Sequence, residues 1–122
     1  MSVSATQDVI ERYFTAMSRG EDFSIFYDAS MTWLMMDTGQ RISGAAVVRD
    51  YISELHNRMT GGEQREMVVT DGHAYLEGSS YNAGAEHGAA GLSWCLVYDV
   101  TDDRISAARC YGTLALLMST PR

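Results

Sequence analysis

The sequence predicts an α+β domain, and three observations carry that prediction. Apolar residues recur at helical steps in two early segments. They alternate at strand spacing through most of the second half. Turn residues punctuate the joins. At 122 residues and 13.5 kDa the chain can enclose one core, so it reads as a single domain over 1–122.

In residues 5–19, Val9, Ile10, Tyr13, Phe14 and Met17 recur at three- and four-residue steps, the buried stripe of an amphipathic helix. Thr6 is the expected N-cap, and Gly20 follows Arg19 as a stop signal. Residues 22–28 suit a short second helix or turn with Phe23, Phe26 and Tyr27 inward. Residues 31–37 are apolar and thioether-rich, fitting a mostly buried strand. Asp37-Thr38-Gly39 supplies a turn, and residues 40–42 a short return strand. Gly44 opens a second amphipathic helix over 45–59, with Val47, Val48, Tyr51, Ile52 and Leu55 inward, and Gly61-Gly62 is expected to end it.

The remainder reads as an antiparallel meander. Strands are expected over 65–70 and 74–81, across an Asp71-Gly72 turn. Residues 82–91, rich in glycine and alanine, read as a loop. The last two strands, 92–100 and 105–117, join across Thr101–Arg104. With Val100 facing Ile105, Trp94 opposes Tyr111, Leu96 opposes Arg109 and Cys95 opposes Cys110. That register sets an aromatic face with one embedded arginine against a small apolar face.

Composition excludes several classes of function. With 46% apolar and 20% charged residues the chain is not disordered. No apolar run approaches the roughly 20 residues of a membrane span. Nine basic against sixteen acidic residues give a net charge of −7, which repels nucleic-acid backbones. The first eight residues carry no basic-then-apolar secretory pattern, so the cytoplasm is the expected compartment. There Cys95 and Cys110, lacking CxxC spacing, are expected as buried reduced thiols. His56, His73 and His87 have no metal-ligand spacing, and no glycine-rich phosphate loop is present, so no metal or cofactor is expected.

Residues 9–17, 26–33, 42–52 and 102–114, in the order helix, short helix, strand pair, helix and meander, resemble the nuclear transport factor 2-like, SnoaL-like proteins. These include polyketide cyclases, ketosteroid isomerases, limonene epoxide hydrolases and scytalone dehydratase. The resemblance implies a cone-shaped barrel of strongly curved antiparallel sheet packed on three helices, and a pocket for a small apolar molecule. It also implies a homodimer, as does an outer sheet face with apolar residues. Tyr13, within Arg12–Met17, matches the oxyanion-hole tyrosine of ketosteroid isomerases. Their general-base aspartate falls near Met35, two residues before Asp37 and on the same face. Their second oxyanion acid falls near Trp94 or Cys95. The arginine–aspartate pair of limonene epoxide hydrolases falls on Gly78 and Ser80, and their later aspartate on Thr113, none of which matches.

The expected chemistry is therefore cofactor-independent acid–base work on a small hydrophobic carbonyl compound: cyclisation, isomerisation or dehydration. Asp37 is the candidate base, since partial desolvation beside 33–36 raises a carboxyl pKa. Its ordinary alternative is a turn aspartate bonding its own backbone. Tyr13 would donate to a developing oxyanion, or else serve as a core aromatic. Trp33, Met35, Tyr51, Trp94, Arg109 and Tyr111 are the candidate binding residues. Arg109 has the alternative of a structural pair with Glu77 or an aspartate. The competing class is a non-catalytic binding or dimerisation module, on the same fold.

Overall fold

Residues 2–82 and 91–119 are described by the computed structural model. The first helix, α1 (Val3–Ser18), starts earlier than the sequence suggests. Ser2 is its N-cap, its hydroxyl accepting from Ala5 N at 3.1 Å. Thr6 is instead fully buried and ties two elements together. Its hydroxyl donates to Ser2 O at 3.0 Å and accepts from the Gly72 N–H at 2.9 Å. The stripe Val9, Ile10 and Tyr13 is buried as the periodicity requires. A 3-10 turn follows at Phe23–Phe26, capped by Asp22.

Strands β1 (Tyr27–Met35) and β2 (Arg41–Ser43) form the first hairpin. Helix α2 (Ala45–Asn57) buries Val48, Ile52 and Leu55. It stops before Gly61-Gly62, which lie within β3 (Met59–Val69) rather than ending the helix. Both glycines are exposed there, and the register shifts between Met59 and Gly61. An irregular edge strand tolerates what a central strand does not. The meander continues through β4 (His73–Asn82), β5 (Leu92–Thr101) and β6 (Arg104–Gly112).

The order across the sheet is β2-β1-β6-β5-β4-β3. The sheet is mixed rather than wholly antiparallel, because β1 and β6 run parallel, and the chain of neighbours does not close into a barrel. Pairing sequentially distant strands side by side is a tertiary outcome that no local pattern announces. The β1–β6 ladder breaks between Tyr27 and Thr32, where Asp28 folds back onto Ser30 N and Oγ at 2.9 and 2.7 Å. β6 ends at Gly112, not at residue 117. Gly112 has φ +139°, and a Cβ there would strike the Ser93 carbonyl. Beyond it a single helical turn, α3 (Leu116–Ser119), buries Leu117, worth about 1.5–3 kcal/mol of apolar transfer.

The final hairpin has the expected Val100–Ile105 pairing but not the expected faces beyond it. Ser106 is an extra residue in β6, so Asp99 pairs with Ala107, and every later pair moves by one. Cys95 faces Tyr111, and Leu96 faces Cys110. The two cysteines consequently lie on opposite faces, both as free thiols, and burial pushes the Cys110 thiol up to about 12. Arg109 and Tyr111 turn outward. Arg109 grips Asp99 through two bonds of 2.7 and 3.0 Å, and the pairing of this arginine with an aspartate is one of the alternatives the sequence left open. His73, expected in a turn, begins β4 and places Nδ1 2.9 Å from Asp99 Oδ1. The loop expected at 82–91, with His87, lies almost wholly outside the described residues. No helix of the described residues is long and apolar enough to cross a membrane.

Three outcomes test these assignments. Thr6→Val strands the Gly72 N–H without its acceptor, and should cost about 1–3 kcal/mol in chemical denaturation. Asp102 and Asp103 both sit in the left-handed region at φ 49° and 64°. There Asp103→Gly should stabilise by a few tenths of a kcal/mol, and Asp103→Val should destabilise by about 1–2 kcal/mol. Hydrogen bonding from Arg109, then its charge and His73, lowers the Asp99 carboxyl pKa below its ordinary 3.8, against the pull of burial. Stability from this pair is present above that ordinary value and lost as pH falls through the lowered one. Asp99→Asn should therefore cost about 1 kcal/mol at neutral pH and flatten the acid limb of a stability–pH curve.

Candidate functional site

The inner face of the sheet and the two long helices enclose a cavity of about 310 Å³. α1 contributes Tyr13, Phe14 and Met17, and α2 contributes Ile52, Leu55 and His56. Trp33 comes from β1, and Trp94, Leu96 and Tyr98 come from β5 at alternate positions of one face. Met59, Glu63 and Gln64 of β3 and Ser79 and Ser80 of β4 supply a more polar side. This composition, an apolar wall with a few polar groups, is that of a small-molecule site.

Three tyrosines meet in this region. Tyr13 and Tyr27 share a buried hydrogen bond between hydroxyls at 2.7 Å. Only one proton lies in that bond, so the acceptor hydroxyl keeps its own for another oxygen. Tyr98 stands edge-on to Tyr13 with ring centroids 6.0 Å apart, and edge-on to Phe14 at 5.9 Å. Among the described residues nothing hydrogen-bonds the Tyr98 hydroxyl, and no fully occluded side-chain polar atom lacks a partner. The Tyr98 hydroxyl is therefore not fully occluded, in a residue that lines the cavity. Burial pushes Tyr13 and Tyr98 well above the usual phenol value, so both remain protonated donors.

The two serines are already engaged. Ser80 Oγ accepts from the Trp94 indole N–H at 2.8 Å, and Ser79 Oγ accepts from the Arg65 guanidinium at 2.7 Å. The first bond holds the Trp94 ring over Gly78, where a Cβ would meet the ring at 2.5 Å. A side chain at Gly78 would displace one wall of the cavity.

His56, in the last turn of α2, lines the cavity and is also exposed to solvent as a residue. Protein nonetheless surrounds its ring, and this desolvation lowers the imidazole pKa from its ordinary 6.5. Both facts hold for a side chain in the wall of a hollow, which water reaches while the surrounding medium stays poorly polarisable. Neutral imidazole is the form that accepts a proton.

The structure distributes the sequence candidates unevenly. Tyr13, Trp33 and Trp94 line the cavity. Met35 is wholly buried beside it and accepts the Trp33 indole N–H at 2.9 Å. Tyr51 packs its ring 6.5 Å from Trp33 and reaches Gln40 at 3.5 Å. Asp37 is exposed in the β1–β2 turn and is not among the lining residues. Its charge instead raises the pKa of Tyr51, after burial and Cys110, and that of Cys110, after burial. Arg109 and Tyr111 lie on the outer face, displaced there by the Ser106 bulge. Sequence reasoning placed Tyr27, whose hydroxyl completes the tyrosine pair, inward but gave it no chemical role, and kept His56 out of the candidate site residues. An aromatic five residues after the capping Asp22, and a histidine at the end of an apolar helical stripe, were the available signals. Among the described residues no group of His, Cys, Asp and Glu could hold a metal ion.

No family model matches the sequence, and no curated protein matches it. Solved structures do match by shape. A steroid delta-isomerase from Pseudomonas aeruginosa superposes with a TM-score of 0.78 at 14% identity, over 94% of this chain and 87% of that one. An NTF2-like protein from Burkholderia xenovorans LB400 gives 0.76 at 14% identity, over 100% and 99% of the two chains. A de novo designed protein with a curved β-sheet gives 0.74 at 14% identity, over 98% of each. An isomerase and a designed protein on one backbone make plain that the scaffold does not dictate a reaction. At these identities the likeness concerns architecture, and the architecture is that of the nuclear transport factor 2-like fold.

Proposed function

We propose that the chain binds a small, mostly apolar molecule in the cavity, with a carbonyl or phenolic oxygen at the tyrosines, and isomerises it by proton transfer without a cofactor. The observation that carries this reading is the tyrosine group: a hydroxyl pair with one spare proton, and a third hydroxyl, not fully occluded, in a residue lining an apolar hollow. Such donors gain most when the ligand oxygen becomes an anion, because water is excluded and the dipoles are already placed. A volume of about 310 Å³ stands at the lower end of small-molecule pockets. It suits a one- or two-ring compound. The steroid delta-isomerase of the same fold lends support to isomerisation as the reaction class.

A second reading is a binding module that performs no chemistry. The exposed position of Asp37, away from the cavity, favours it. Naphthol, a two-ring phenol whose fluorescence reports its environment, separates the outcomes. It should bind, and Tyr98→Phe should weaken binding by about three- to tenfold, the worth of one hydrogen bond. Leu96→Trp should abolish binding by filling the hollow. Binding unchanged in both variants would place the ligand elsewhere and refute the proposal. Tight naphthol binding with no turnover of any enolisable ketone would favour the binding module.

A further inference from the structure

His56 lines a second hollow besides the cavity. It is a groove on the outside of the α1–α2 junction, formed by Met17, Gly20, Glu21, Asp22, Arg49 and Ser53 together with His56. Met17 and His56 belong to both hollows, so these two side chains form the partition between them. Methionine cannot carry a proton, whereas imidazole can accept one and release one at a second nitrogen. Among the described residues the His56 imidazole has no hydrogen-bond or ion-pair partner, although its backbone carbonyl accepts from Arg58 N–H, so neither ring nitrogen is committed to a structural task.

Resting on the isomerase reading above, we propose that His56 is the catalytic base of this cavity, and that it exchanges its proton with bulk water through the outer groove. A β,γ-unsaturated ketone shows the balance. The neutral imidazole takes the proton from the carbon between the carbonyl and the double bond. The C–H electron pair forms a new C=C bond, and the carbonyl π pair moves onto oxygen, where tyrosine hydroxyls hold the dienolate. The Cβ=Cγ pair then takes a proton from the imidazolium at the γ carbon, the enolate C=C pair becomes the α,β double bond, the oxygen pair re-forms the carbonyl, and the conjugated ketone leaves. No atom or electron is gained or lost, and no further reactant is needed. The groove supplies the second property, since an imidazolium open to water trades its proton with solvent before returning it.

The charged and titratable groups around His56 are Tyr13, Tyr98 and Glu63 on the cavity side, and Glu21, Asp22 and Arg49 on the groove side. Asp22 is occupied by Ser24, at 2.6 Å to the hydroxyl, and Arg49 by Asp50 at 3.0 Å. Glu21 and Glu63 lie near Arg19 and Arg65, at 3.9 and 4.0 Å. Burial is the cause that lowers the His56 pKa.

The test uses a β,γ-unsaturated cyclohexenone as substrate and naphthol as binding probe, in the full chain. His56→Gln should lower kcat for the conjugated product by about a hundredfold or more, the worth of a general base. It should leave naphthol affinity within about twofold. Wild-type kcat should fall on the acid side at a pH below the ordinary 6.5 of histidine, and that limb should vanish in the variant. Product formed in heavy water should carry solvent deuterium at the γ carbon. His73→Gln, on the outer face, should change neither kcat nor affinity. A His56→Gln enzyme within threefold of wild type, or one keeping the acid limb, would overturn the assignment of the base. Product free of solvent deuterium would overturn the exchange route. Wild-type protein that binds naphthol yet leaves the cyclohexenone unchanged would overturn the inference while leaving the cavity as a binding site. Failure of naphthol to bind would instead strike the earlier proposal.

Discussion

Ser106 has no partner opposite it in β5, and its hydroxyl donates to the Asp99 carbonyl at 3.3 Å. That one extra residue fixes which side chains of the central strands face the helices. Because strand side chains alternate, a shift of one exchanges the partner of every residue beyond it. With the bulge, Trp94, Leu96 and Tyr98 look inward against Gly112, Cys110 and Ala108. The small partners leave room that large ones would fill. Arg109, Tyr111, Asp99 and Cys95 are turned to the outer face, where Arg109 and Asp99 satisfy one another. The hollow is a consequence of this register. Aromatic residues crossing from one inner strand to small residues on the next cannot close the space between sheet and helices.

The polar groups within the hollow then follow from the cost of burying hydroxyls. Tyr13 is almost wholly enclosed and would be penalised without a partner, and Tyr27 supplies one. Tyr98, equally surrounded, keeps its hydroxyl short of full occlusion instead. A site that leaves a hydroxyl to be completed by a guest selects for guests with an acceptor at that point. Ile52, Leu55 and Leu114 line the cavity with apolar groups that fix no orientation. On the proposed reading, specificity resides at the tyrosine end, and proton traffic at the end of α2 where His56 meets solvent.

Much of the scaffold is legible in the sequence. The stripe of α1 falls where three- and four-residue steps place it, and so does that of α2 apart from Val47, which is exposed; the Thr101–Arg104 turn joins the expected strands. Tyr13, Trp33 and Trp94 reach the cavity from those patterns and from the family resemblance. What escapes is set by tertiary context. The parallel pairing of β1 with β6 joins segments about seventy-five residues apart. A one-residue bulge leaves no mark in hydropathy, so Arg109 and Tyr111 were assigned to the wrong face. Asp37 lies two residues beyond a buried strand position, but β1 ends at Met35, so alternation no longer governs where it points. His56 could be read equally as a helix-terminal cation, and only the shared wall of two hollows distinguishes it.

A crystal structure of the naphthol complex addresses the central claim most directly. The phenolic oxygen should lie within hydrogen-bonding distance of the Tyr98 hydroxyl or the Tyr13–Tyr27 pair, with the rings between Trp33 and Leu96. Naphthol seated on the outer sheet face, or an inner space closed by side chains with no room for two rings, would contradict it.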